Sequence, residues 1–223
     1  MKYFAALLLL FHYTFVQGQE FQYPLVKKEG KKVIDFIPKG WNLVDTVEGD
    51  LNKDSYKDIA FVIEHRDDRK INTESFQHFI LIIAFYNPES SNFRFIEQCN
   101  NLISYHQLEP GPWYEGMEIV KGVLNISFLQ GGSTDIMMNY KFRYQDNDFY
   151  MIGADRSQYN PSSQDYKNYS FNFLAKKWSI SKGNDESPEK STVEWRKLEI
   201  EQLMKLKDYE GPFTWEVAKG MFL

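Results

Sequence analysis

Apolar and polar positions along this 223-residue chain fall into short runs separated by turn residues, with little helical periodicity. Residues 79–86 are apolar without interruption and of strand length, which predicts a strand covered on both faces. Residues 59–63 are largely β-branched and aromatic and predict another strand. Between them, residues 64–77 are charged and polar and read as a solvated loop. A turn at 87–92, with Pro88 and two serines, returns the chain as a partner strand over 93–98. The same order, short strand, polar loop, long strand, tight turn and return strand, recurs from 116 to 157. Its strands are expected at 123–129, 136–144 and 149–153, and a smaller pair follows at 169–174 and 178–180. This order predicts a mainly β fold: an antiparallel meander of blade-like sheets, either open and propeller-like or a sandwich, because three units are few for a closed ring.

The ends of the chain read differently. Lys2 followed by a mostly apolar run over 3–16, with compact Val16 and Gly18 at the cleavage-determining positions, is the pattern of a signal peptide spanning residues 1–18. The run is shorter than the ~20 residues that a membrane-spanning helix needs, and no later apolar segment reaches that length. Residues 19–223 then form a single β-rich domain with a polar loop at 181–191. The mixed, lysine-rich stretch 21–38 reads as a solvated edge or turn. Residues 193–198 suggest one more strand. Ile200, Leu203 and Met204 at helical spacing predict a short C-terminal amphipathic helix packing on the sheet, and residues 215–223 a last short helix or strand.

Composition narrows the functional classes. The net charge is -5, and loss of residues 1–18 removes only Lys2 among charged side chains, giving -6. A mildly acidic chain argues against nucleic acid or an anionic membrane surface as partner. Cys99 is the single cysteine, so an intramolecular disulfide and multi-thiolate metal sites are excluded. It reads as a small buried hydrophobe, since nothing beside it in the sequence would make a nucleophile of it with His106 as base. With no cysteine near the predicted cleavage site, the exported protein, periplasmic or extracellular, is expected to carry no N-terminal lipid anchor.

One stretch carries chemistry. From Gly49 the chain places side-chain oxygens at Asp50, Asn52, Asp54 and Asp58, offers the backbone carbonyl of Tyr56, and then enters the strand at 59–63. Hard cations such as Ca²⁺ take roughly six to eight oxygen ligands, and a tight loop of this kind supplies most of them. The EF-hand pattern fails, because Ser55 stands where glycine is required and Phe61 where a bidentate carboxylate should be, and a strand follows in place of a helix. The loop resembles instead the calcium loop of FG-GAP and VCBS-type repeats, the blades of integrin-like β-propellers. That resemblance covers residues 49–64 and implies Asp50, Asn52, Asp54 and Asp58 as ligands at its first, third, fifth and ninth positions, with the Tyr56 carbonyl at the seventh. Ser55 replaces the family's glycine, at a cost on the order of 1 kcal/mol if φ is positive there.

The expected function is therefore that of an exported calcium-binding β module, non-catalytic, with a structural ion and an unidentified protein or glycan partner. The competing expectation is an envelope- or glycan-directed hydrolase using acidic residues near the 110–118 loop, such as Glu115 and Glu118, because paired carboxylates leave no linear motif. In that loop Trp113 and Tyr114 are expected to plug a sheet end or, if exposed, to stack on a sugar ring. The glycosylation-like triplets at Asn125 and Asn168 lie in or beside predicted strands and are given no weight.

Overall fold

The computed structural model describes residues 21–71, 74–105 and 113–223. The expected signal peptide, residues 106–112 and with them His106 lie outside the described residues. Two antiparallel sheets account for most of the strands. The first is built from β1 (Glu29–Gly30), β2 (Asn42–Gly49), β3 (Asp58–Ile71), β4 (Glu74–Asn87) and β5 (Asn92–Cys99) in the order β1-β5-β4-β3-β2, with β6 (Ser104–Tyr105) also paired to β4. The second is an uninterrupted meander of β7 (Trp113–Val120), β8 (Val123–Gln130), β9 (Asp135–Gln145), β10 (Asp148–Asn160), β11 (Asp165–Asn172), β12 (Lys177–Asn184) and β13 (Thr192–Lys197). A small hairpin, β14 (Glu216–Ala218) with β15 (Met221–Phe222), ends the chain.

The apolar runs explain this layering. Successive side chains of a strand point to opposite faces. In β3, Ala60 and Val62 enter the core shared by the two sheets, while Ile59, Phe61 and Ile63 enter a second cluster on the other face. In β4, Leu81, Ile83 and Phe85 take the first side and Ile80, Ile82 and Ala84 the second. Each large aliphatic or aromatic side chain buried in this way contributes roughly 1.5–3 kcal/mol. The shared core is completed from the second sheet by Leu124, Ile126 and Phe128 of β8, Met138, Tyr140 and Phe142 of β9, and Phe149, Met151 and Ala154 of β10. The far face of the first sheet is covered by the N-terminal stretch. Phe36 and Trp41 are buried there, Phe21, Tyr23, Val26, Val33 and Ile37 pack beside them, and the Phe21 ring stacks on His78 with centroids 3.5 Å apart. The stretch read as a solvated edge is thus a lid over one side of the sheet.

Three expectations are corrected. Residues 64–77 are mostly strand, because β3 and β4 continue as a long hairpin with His65 paired to His78 and Arg66 to Gln77. The pair expected at 169–180 is no separate blade, since β11 and β12 extend the second sheet, and β12 runs into the residues read as a polar loop. The C-terminal helix does not form. Residues 198–209 run across the end of the core as an extended arm closed by a 3-10 turn at Leu206–Asp208. The arm binds by sheet-like contacts: the Met151 N–H donates to the Met204 carbonyl at 2.8 Å, and Tyr150 and Lys205 form an isolated antiparallel bridge. Leu198, Leu206 and Tyr209 are buried by this path, while Ile200, Leu203 and Met204 pack only partly buried against the core.

Asp148, nearly buried at the β9–β10 turn, fastens the arm. It accepts from Lys205 Nζ at 2.9 Å and Lys207 Nζ at 2.7 Å. Burial alone would raise its carboxyl, but the two lysine hydrogen bonds hold it below the usual range. Glu97 of β5 faces the same cluster with Oε1 buried and without a hydrogen-bond partner. Burial first, then the Asp148 charge, push its carboxyl up to about 7, against the pull of Lys207 and Lys205. The folded protein thus holds a proton on Glu97 that the unfolded chain has released, so stability is fullest below the ordinary carboxylate range and falls as pH rises toward 7. Urea unfolding at pH 4.5 and pH 7.5 should show Glu97→Gln losing less stability than wild type over that interval, by up to about 3 kcal/mol. Parallel pH dependence in the two proteins contradicts this placement of Glu97.

Candidate metal loop between β2 and β3

Residues 50–57 join the edge strand β2 to the interior strand β3, which Asp58 opens, at the point where the sheets come together. Gly49, the last residue of β2, lies against β7 so closely that a Cβ there would stand 2.5 Å from Ile119 Cγ2. No larger residue fits without displacing that contact. Leu51 then drops into the shared core and is fully buried, so the loop is pinned by an apolar side chain at its start.

Its other end is pinned by a charge. Asp58 is fully buried, and its carboxylate accepts three backbone N–H groups. Leu51 N–H donates to Oδ2 at 2.8 Å, Asn52 N–H to the same oxygen at 3.3 Å, and Tyr86 N–H of β4 to Oδ1 at 3.0 Å. Burial pushes this carboxyl up to about 6, while the N–H groups of Leu51, Tyr86 and Asn52 favour its charged form. A buried carboxylate with this many donors is a latch: it ties the start of the loop, the start of β3 and the end of β4 to one point.

The outer half of the loop is wrapped around Asp50. Its Oδ1 accepts from Lys53 N–H at 2.6 Å and Asp54 N–H at 3.1 Å, and its Oδ2 from Ser55 N–H at 3.0 Å. Asp54 N–H also donates to Asn52 Oδ1 at 3.0 Å, Asn52 Nδ2 donates to Asp54 Oδ2 at 2.9 Å, and Tyr56 N–H donates to Asp54 Oδ1 at 2.8 Å. Lys53 and Ser55 adopt positive φ, +68° and +73°, so the residue standing where the repeats carry glycine does hold a left-handed conformation. Each costs on the order of 1 kcal/mol against a residue free of a Cβ.

Of the five predicted site residues, Asp50, Asn52 and Asp54 are brought together by these hydrogen bonds and Tyr56 follows directly. Asp58 is turned inward beneath the loop. Among the described residues no three acidic, imidazole or thiolate side chains converge as a metal-binding group. The donor set is nevertheless of one chemical kind, hard oxygens, and a carboxylate or amide oxygen that accepts one N–H retains a second lone pair. The loop residues therefore suit a hard cation in chemistry.

The remaining candidates are dispersed. Cys99 is buried, donates to the Leu206 carbonyl at 3.4 Å, and is pushed by burial to a pKa of about 11, so its thiol is inert at neutral pH. Tyr114 is half-buried and donates its hydroxyl to Asp45 Oδ2 at 2.7 Å, which ties β7 to β2; Trp113 is 54% exposed. Glu115 and Glu118 are both exposed on β7. The latch role of Asp58 escapes a sequence reading because its Tyr86 partner is 28 residues away. Comparison with protein families, with curated proteins and with solved structures returned no match.

The two ends of the loop should respond differently to substitution. Asp58→Ala, which strands three backbone donors, is expected to lower stability by roughly 2–3 kcal/mol in urea unfolding in the presence of chelator. Asp54→Ala, on the exposed half, should cost less than about 1 kcal/mol under the same conditions. Equal effects would refute the division into a buried latch and a surface half.

Proposed function

We propose that this chain is an exported, non-catalytic β module, a two-sheet sandwich whose β2–β3 loop takes a structural calcium ion. Asp50, Asn52 and Asp54 would hold the ion with the Tyr56 carbonyl, and Asp58 completes the set from below while keeping the loop in shape. The observation that carries the reading is the coordination of Asp50 by three successive loop N–H groups. It gathers the outer oxygens in a preformed turn, so an ion entering there meets donors already ordered. The ion would also neutralise Asp50 and Asp54, whose mutual repulsion opposes a closed loop. Export rests on the leader-like pattern of residues 1–18. Among the described residues no helix is long and apolar enough to cross a membrane.

Thermal unfolding of the protein recovered after export, whose mass should begin at Gln19, tests the proposal in chelator and across a calcium titration. At a calcium concentration about 100-fold over Kd the stabilisation is ~2.7 kcal/mol, a rise in Tm of roughly 5–10 °C. The Asp50→Ala/Asp54→Ala double variant should show no rise. A wild type that melts at one temperature with and without calcium removes the metal from this account.

A further inference from the structure

The shared core uses one face of the second sheet; its other face is turned to solvent. Strand register aligns that outer face into rows that run across all seven strands. One row reads Ser127, Asn139, Asp155, Ser170, Ser179 and, on the edge strand β13, Trp195. The adjacent row begins at Trp113 on β7, passes Leu129, Met137, Ser157, Asn168 and Ser181, and ends at Val193 on β13. Serine, asparagine and aspartate are poor strand residues, so their concentration on one face of five successive strands runs against local propensity. Solvation alone would be served by threonine, lysine or glutamate.

The two rows are short-chained and close to neutral. Their acidic group, Asp155, is paired with Lys141 and accepts from Ser170 Oγ at 2.7 Å. Asn139 Nδ2 donates to Ser127 Oγ at 2.9 Å, and Ser157 Oγ to Asn168 Oδ1 at 2.6 Å. These bonds hold the polar groups in fixed directions while leaving further donor and acceptor capacity toward solvent. At the edges stand large apolar surfaces, Trp195 (69% exposed) and Val193 (63%) on β13 and Trp113 (54%) on β7, and Met137 (57%) lies further in, on β9. Six strand spacings of ~4.8 Å separate β7 from β13, about 29 Å, room for an extended oligomer.

From this we infer that the outer face of the second sheet is a binding platform for a neutral polysaccharide. A sugar chain presents ring hydroxyls that donate and accept, and apolar C–H faces that stack on indole, the two features this surface pairs. The charge of the two rows matches as well, since their single carboxylate is ion-paired and they carry no lysine or arginine for a polyanion such as nucleic acid or an acidic membrane. A protein interface would place its apolar residues in the desolvated middle, whereas here β10 to β12, the middle and one flank of the face, carry serine, asparagine and aspartate. Because the platform is built from the second sheet alone, the inference goes beyond the calcium reading and stands whether or not the loop takes an ion.

The test is depletion of the purified protein from solution by insoluble cellulose, chitin, xylan and β-1,3-glucan, in calcium-containing buffer. Three variants accompany wild type: Trp195→Ala, Ser170→Lys in the middle of the platform, and Ile34→Ala, an exposed residue on the segment that covers the other sheet. Thermal melts confirm that each is folded. Retention by at least one polymer is expected, reduced at least about tenfold in both platform variants and kept in Ile34→Ala. Failure of all four polymers to retain wild type, or unchanged retention in either platform variant, overturns the inference.

Discussion

The buried carboxylate of Asp58 is the constraint on which the loop and the strand junction around it depend. A charge fully removed from solvent is tolerated only where hydrogen bonds replace its hydration. Here the replacements are backbone groups from the loop and from β4. They fix where β3 begins relative to β4, and therefore which residues of the long apolar run fall on which face. Leu51 acts in the same direction by entering the core one residue after the loop begins. A turn that serves only to reverse the chain has no use for a buried acid and a buried leucine seven residues apart.

The rest of the architecture follows from how much apolar surface β3 and β4 carry. Both are apolar on both faces, so the first sheet needs two covers. The second sheet supplies one, and the N-terminal stretch with Phe36 and Trp41 supplies the other. The second sheet is apolar on one face only, which leaves its outer face free to vary without loss of core. A ligand platform costs least in stability on a face of that kind. The extended arm at 198–209 closes the remaining end of the core, held by Asp148 and its two lysines.

The sequence was legible where structure is local. Uninterrupted apolar runs gave β4 and the start of β3, turn residues gave most hairpins, and the polar spacing from Asp50 to Asp58 marked a structured loop. Readings failed where pairing is long-range. Residues 64–77 form strands because a hairpin's backbone pairs regardless of apolar alternation. Ile200, Leu203 and Met204 sit at helical spacing, yet the Met151 N–H and the pocket for Leu206 draw the arm into an extended path. The latch role of Asp58 could not be read along the chain, because it depends on Tyr86, on another strand. The outer platform is invisible along the chain because its rows exist only across strands.

Native-state hydrogen exchange in chelator tests the latch most directly, read at the amides of Leu51 and Tyr86 against those of Lys53 and Ser55. All four amides donate to loop carboxylates, but the first two bond to the buried Asp58 and the others to the half-buried Asp50 on the outer half of the loop. The account predicts that Leu51 and Tyr86 exchange as slowly as the central residues of β3 and β4, with Lys53 and Ser55 exchanging orders of magnitude faster through local opening. Exchange of Leu51 and Tyr86 at the rate of Lys53 and Ser55 would contradict it, and would mean that the loop is an ordinary turn on a sheet held together elsewhere.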